Sequence, residues 1–207
     1  MLGAMKRSLA LLPALVLAAC GGDSDAESPA PKPSREGPAA PAASGYPKSP
    51  RCRAPEDPTP AQTEGPYYKA GPPKRRSLLE PGVKGTRLRL RGRVLSTDCK
   101  PLAGARVDFW QADGGGEYDN EGYRLRGYQL TDRNGRYSLA TVAPAQYESR
   151  APHIHVKVTP RGRRTLTSQL YLPGSSANRN DPIFVRDTLI RLRRGSSPWR
   201  GAFDFVL

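Results

Sequence analysis

The 207-residue sequence holds only two histidines and three cysteines, and its 19 acidic residues are outnumbered by 33 lysines and arginines. Each shortage narrows the chemistry. Cys20, Cys52 and Cys99 show no C-x-x-C spacing, which argues against a thiolate zinc site. The apolar run over residues 9–19 is too short to span a bilayer. No segment sustains a long helical period, so the fold is not built on long helices. No internal repeat stands out. The basic runs at residues 161–164 and 191–194 lack the interleaved aromatics that a nucleic-acid stacking platform requires. They read as solvated faces attracted to anionic envelope surfaces, and nucleic acid is not an expected partner.

Lys6 and Arg7 followed by that short apolar run form a secretory leader. Its end, L-A-A-C at residues 17–20, resembles a bacterial lipoprotein signal, in which the cut precedes a cysteine that becomes acylated. The resemblance implies a leader over residues 1–19 and a mature chain that begins at Cys20. That chain would be anchored by lipid in the cell envelope, facing periplasm or exterior, without crossing the membrane. An ordinary signal peptide with an incidental cysteine is the alternative. Losing Lys6 and Arg7 takes the formal charge from +14 to +12. Residues 20–58 are dominated by Pro, Ala, Ser, Gly and charge, which predicts a disordered tether. Residues 59–207 are enough for one domain with a real core. In an oxidising compartment Cys52 and Cys99 read as a disulfide pinning the tether to that domain, with free thiols or thiolate ligands as the alternative.

Within the domain, residues 87–95 read R-L-R-L-R-G-R-V-L, apolar side chains alternating with basic ones as on a half-buried strand. Further strands are predicted at residues 105–110, 136–141, 153–159 and 165–171, with a D-R-N-G turn at 132–135. Short, evenly spaced strands with turn signals predict an all-β fold, an antiparallel β-sandwich whose irregular loops carry any site.

The two histidines, His153 and His155, sit two residues apart in a β-branched stretch, so a strand there points both imidazoles to one face. They either meet solvent and carboxylates or share a metal. A metal needs further ligands, and three types remain open. Thiolates lack suitable spacing. A carboxylate would complete a two-histidine facial triad, but none lies at a short offset on the same strand face, and Glu148 on a loop is the nearest. Phenolates, from Tyr147 and Tyr118, would favour a hard trivalent ion such as Fe(III).

The chain also carries T-P-A-Q-T-E-G-P-Y at residues 59–67, W-Q-A at 110–112 with Tyr118 eight residues past the tryptophan, and T-D-R-N-G-R-Y at 131–137. R-x-x-H-x-H at 150–155 and L-T-S-Q-L-Y at 166–171 follow. This ordered set resembles the intradiol ring-cleavage dioxygenases. The resemblance implies a non-haem Fe(III) held by Tyr118, Tyr147, His153 and His155. A small aromatic diol would bind through both oxygens and displace Tyr147, whose phenolate takes a substrate proton. The ring would open between the oxygenated carbons to a cis,cis-muconate, with both atoms of O2 incorporated. Arg150 would stabilise charge on the substrate, Gln169 would support the site from behind, and Trp110 and Tyr67 would line the cavity. Tyr68, Tyr123, Tyr128, Tyr137 and Tyr171 read as packing residues. The segment between Tyr147 and Arg150 is shorter than in well-known family members, which implies a more open cavity, and self-association is compatible with all of this. A second resemblance competes. P-L-A-G-A-R-V at 101–107 and A-P-A-Q-Y at 143–147, with the 131–137 turn, are similar to the carboxypeptidase-regulatory, prealbumin-like sandwiches, which bind without metal chemistry.

Overall fold

The computed structural model describes residues 45–207; the leader, Cys20 and most of the expected tether lie outside the described residues. Strands β1 (Arg87–Leu95), β2 (Arg106–Trp110), β3 (Arg126–Leu130), β4 (Arg136–Val142), β5 (His153–Thr159) and β6 (Leu166–Tyr171) come first, followed by two short 3-10 turns, Ser176–Arg179 and Arg186–Thr188. Strands β7 (Arg191–Arg193), β8 (Trp199–Ala202) and β9 (Phe205–Val206) close the chain. They form two sheets, one ordered β4-β1-β8-β7 with β9 beside β1, the other β3-β2-β5-β6.

The alternation in the sequence explains the layering. Leu88, Leu90 and Val94 of β1 face Val107 and Phe109 of β2 and Ile154, Val156 and Val158 of β5 across one buried core. Each such side chain, fully buried, contributes about 1.5–3 kcal/mol. The D-R-N-G turn forms as expected: Asp132 Oδ1 accepts from the backbone N–H of Asn134 and Arg136, each at 2.8 Å, and Gly135 takes φ +69°.

The structure differs from the sequence-based expectation in three places. β1 runs parallel to both β8 and β9, so the larger sheet is mixed, not wholly antiparallel. β3 and the short C-terminal strands β7, β8 and β9 are not among the expected strands; in β3 Arg126 is buried and Gly127 follows it, which erases the usual alternation. Residues 45–58, expected as the end of a disordered tether, are fixed to the sandwich. The Tyr46 ring lies 3.8 Å from the Arg91 guanidinium, Cys52 is bonded to Cys99, and the Glu56 N–H donates to Thr97 O at 3.0 Å. Composition predicted disorder from the segment's own poverty of apolar side chains; its order comes from the domain it lies against.

The disulfide spans a sequence separation of 47 residues. Replacing both cysteines by serine should lower stability by about 4 kcal/mol, from the loop entropy returned to the unfolded chain. Denaturant unfolding of the double variant measures this directly, and an unchanged midpoint would show that the bridge does not constrain the unfolded state.

Candidate metal centre

The site lies on the outer face of the smaller sheet, because Ile154 and Val156 take the inner face and leave His153 and His155 to the other. Register then assembles its floor. Arg126 of β3 stands opposite Trp110 of β2, Trp110 opposite His155 of β5, and His155 opposite Gln169 of β6. His153 stands opposite Tyr171 in the neighbouring row. Loops roof this floor: Tyr67 from the segment before β1, Tyr118 from the β2–β3 connection, and Tyr147 from the turn before β5.

Both imidazoles are buried, and their Nε2 atoms lie 3.0 Å apart. His153 Nδ1 is 2.6 Å from the Ala151 carbonyl, which can only accept, so Nδ1 carries the proton and Nε2 keeps its lone pair. Trp110 stacks on His155, centroids 4.9 Å apart and planes 8° apart, and fixes its ring. Gly65, at φ +72°, comes so near that a Cβ there would meet His155 Cε1 at 3.2 Å. The Tyr118 ring lies 6.4 Å from His155 and 5.2 Å from Tyr147, whose ring is 5.7 Å from His153. Tyr118 Oη is buried with no hydrogen-bond partner among the described residues. The two tyrosines and two histidines are therefore brought together.

This arrangement fits a metal ion. Two imidazole nitrogens bound to one ion at about 2.1 Å and at right angles to each other would stand about 3 Å apart. The orphaned phenol oxygen of Tyr118 is the kind of buried polar atom that needs an explanation, and a cation supplies one. Among the described residues no group of three or more His, Cys, Asp or Glu side chains could hold a metal, which leaves the phenols as the partners of the imidazoles. Glu148 is exposed on the tight turn at φ +47° and Cys52 and Cys99 are bonded to each other. Without an ion, burial pushes His153 down to about 4, and His155 well below the ordinary value with the neighbouring His153 adding to it. Burial also holds the Tyr118 phenol well above its ordinary range, the Tyr147 phenol adding to the effect and the Arg126 cation opposing it.

Arg150 is half-buried and its Nε–H is shared between the two carboxylate oxygens of Asp181, 3.1 Å from each. Its second nitrogen donates to Gln169 Oε1 at 2.5 Å and to the Tyr171 hydroxyl at 3.0 Å. Gln169 donates onward to Thr63 O at 2.9 Å. Tyr171 is thus more than packing: its hydroxyl belongs to this network, and burial pushes it up to about 12. Gln169 and Trp110 support the ligands from beneath but do not line the open cavity. That cavity, about 360 Å³, is bounded by Tyr67, Tyr118, Tyr147, Gly116, Asn120 and Glu148, among others; it meets the site through the tyrosines, and His153, His155 and Arg150 lie behind them. Tyr67 does line it, stacked on Tyr118 at 4.2 Å.

Sequence reasoning missed Asp181 and Arg126. Arg126 is buried, and its guanidinium donates to the carbonyls of Tyr67 and Asp119, 5.9 Å from the Tyr118 ring. Among 33 basic residues nothing local marked it out, and Asp181 lies far along the chain from the arginine it serves.

A family model described as Dioxygenase matches residues 63–207. Hydroxyquinol 1,2-dioxygenase of Nocardioides simplex is 28% identical over 190 residues, covering 73% of this chain and 65% of the relative. Catechol 1,2-dioxygenase 2 of Acinetobacter lwoffii is 34% identical over 166 residues, covering 68% and 58%. The chain thus spans less than two thirds of the length of these curated relatives. Among solved structures, the dioxygenase domain of a dioxygenase carbohydrate-binding protein fusion from Streptomyces sp. SirexAA-E is 46% identical, with a TM-score of 0.71, covering 73% of this chain and 98% of that one. The 3-chlorocatechol 1,2-dioxygenase of Rhodococcus opacus 1CP is 27% identical with a TM-score of 0.68, covering 72% of each.

Because the folded site resists protonation of both imidazoles, the unfolded chain takes up those protons first as pH falls. The metal-free protein should therefore keep its full stability above about pH 6.5 and lose it as pH falls from there through about 4. Melting temperatures of the metal-free protein across that window measure the loss. His153→Gln should flatten part of it, and an identical slope in that variant would assign the effect to other groups.

Proposed function

We propose a function from one premise: the chain belongs to the intradiol ring-cleavage dioxygenase family. On that premise it is a non-haem Fe(III) oxidoreductase that opens a catechol-type ring between its two hydroxylated carbons, giving a cis,cis-muconate-type product. The single observation that carries this reading is the convergence of two imidazole nitrogens 3.0 Å apart with the rings of Tyr118, 6.4 Å from His155, and Tyr147, 5.7 Å from His153. A non-metal binding sandwich has no use for that arrangement. Tyr118, Tyr147, His153 and His155 would hold the ion. A ferric ion, when bound, lowers the pKa of the substrate hydroxyls and gives the ring the carbanion character that reacts with dioxygen.

The remaining work falls to the chain. The Ala151 carbonyl fixes the tautomer of His153, and Trp110 fixes the plane of His155, so both present Nε2. Tyr147, partly exposed on its turn and adjoining the cavity, is the ligand free to move when a diol enters, and its oxygen accepts a substrate proton. Arg150, held by Asp181 and Gln169, presents a permanent positive charge where negative charge builds on the substrate. The substrate class is a small catechol, a hydroxyquinol or a larger environmental polyphenol. The setting proposed is the cell envelope, with the chain anchored through Cys20.

Iron-loaded protein should be coloured by tyrosinate-to-Fe(III) charge transfer, with a band that moves when catechol is added. It should also consume oxygen in a screen of catechol, protocatechuate, hydroxyquinol and larger polyphenols. A colourless, iron-free protein after iron-replete expression sinks the reading. Tyr118→Phe should bleach most of the band. Arg150→Lys should retain iron and colour while kcat falls on the order of a hundredfold. Arg150→Ala is the poorer test, because it leaves the buried Asp181 carboxylate unpaired.

A further inference from the structure

The larger sheet turns an arginine-covered face to the outside. Leu88 and Leu90 of β1 enter the core, so Arg87, Arg89 and Arg91 point away from it. Register puts more arginines beside them. Arg200 of β8 stands opposite Arg89 on one side and Arg193 of β7 on the other, and Arg136 of β4 stands opposite Arg93. Like charges directly opposed across strands are destabilising, and this sheet sets three such pairs side by side. Compensation within the protein is partial. Asp204 lies 3.6 Å from Arg93, while Glu56, Asp57 and Asp187 gather with Arg191 around a cavity of about 330 Å³ at one end. Among the described residues Arg87, Arg89, Arg136 and Arg193 have no ion-pair partner, and all four are exposed.

We propose that this face docks the protein on an anionic phospholipid surface. The breadth of the array and the chain's point of entry favour a bilayer over other polyanions. The array is broad and sheet-like: strands lie about 4.8 Å apart and same-face residues about 7 Å apart along each strand, so many guanidinium groups reach one plane together. Guanidinium groups pair with phosphate oxygens bidentately. The chain also enters the described structure across this face, with the Tyr46 ring against Arg91 at 3.8 Å and against Arg200 at 6.0 Å. A lipid anchor at Cys20 would be joined to the domain on this side. The metal centre lies on the outer face of the other sheet, so a docked protein turns its cavity away from the bilayer and towards dissolved substrate. The biological setting rests on the envelope location proposed above; the binding itself does not.

The test uses the exported chain, freed of its leader and carrying Cys20→Ser so that no acyl group contributes. It should sediment with vesicles of equal parts phosphatidylcholine and phosphatidylglycerol, not with pure phosphatidylcholine, and salt should release it. Each arginine near an anionic surface strengthens partition by about fivefold. Arg89→Gln with Arg193→Gln should accordingly weaken it by about 25-fold and leave oxygen uptake unchanged. Arg161→Gln with Arg164→Gln, on the β5–β6 connection of the other sheet, removes the same charge and should weaken it far less. Equal partition to both vesicle types overturns the proposal, as does an equal loss in the two double variants. Capture by heparin without vesicle binding also overturns it, in favour of a soluble polyanion. The mass of Cys20 in the wild-type protein reports separately on the anchor, so a missing acyl group would remove the location without touching the vesicle result.

Discussion

The register of the smaller sheet is the constraint on which the site depends. A strand pair fixes which residues stand opposite one another, and a slip of one residue would carry every side chain to the wrong face. Here the fixed pairing sets a guanidinium, an indole, an imidazole and an amide in one row, at Arg126, Trp110, His155 and Gln169. The apolar inner face of β5 locks that register, since Ile154, Val156 and Val158 are all fully buried in the core. Hydrophobic burial on one side of the strand thus holds the placement of two histidines on the other.

Burial on the outer face needs the loops. His155 reaches complete burial only because the segment around Gly65 and the tyrosines lies over it. Two cations flank the site, one from β3 and one from the turn before β5. Arg126 is held by backbone carbonyls beside the Tyr118 ring, and Arg150 is held by Asp181. A centre built from two phenols and two neutral imidazoles therefore sits between fixed positive charges, which favour anionic oxygen donors and an anionic ligand in the cavity. Asp181 keeps Arg150 from being a lone buried charge, and it also accepts the backbone N–H of Ala151 at 2.9 Å, tying the loop that carries it to the strand that carries the histidines.

The sandwich has two chemically different outer faces. One carries the histidines under a roof of aromatic loops, and the other carries arginines in opposed pairs. Both arise from the same strand alternation, because the shared core takes every second side chain and leaves the rest to a face of its own. Tyr46 lies against the arginine face and the segment that follows is bonded at Cys52 to the domain, which gives the chain a defined point of entry.

Periodicity and the two histidines' spacing determined much by themselves. The alternating R-L-R-L-R of β1, the β-branched run of β5 and the D-R-N-G turn are local patterns, and local patterns report local structure. The ordered motifs named the four residues that the fold brings together. Other features were decided only by tertiary structure. Arg126 looks like any other arginine until β3 places it opposite Trp110, and Asp181 is unremarkable until the chain returns to meet Arg150. Tyr171 read as packing because nothing nearby in the chain announces a partner for its hydroxyl. The parallel pairing of β1 with β8 and β9, and with it the opposition of Arg89 and Arg200, joins segments more than a hundred residues apart. Sequence records what each residue can do with its near neighbours; which distant residues become neighbours is settled by the burial of a common core.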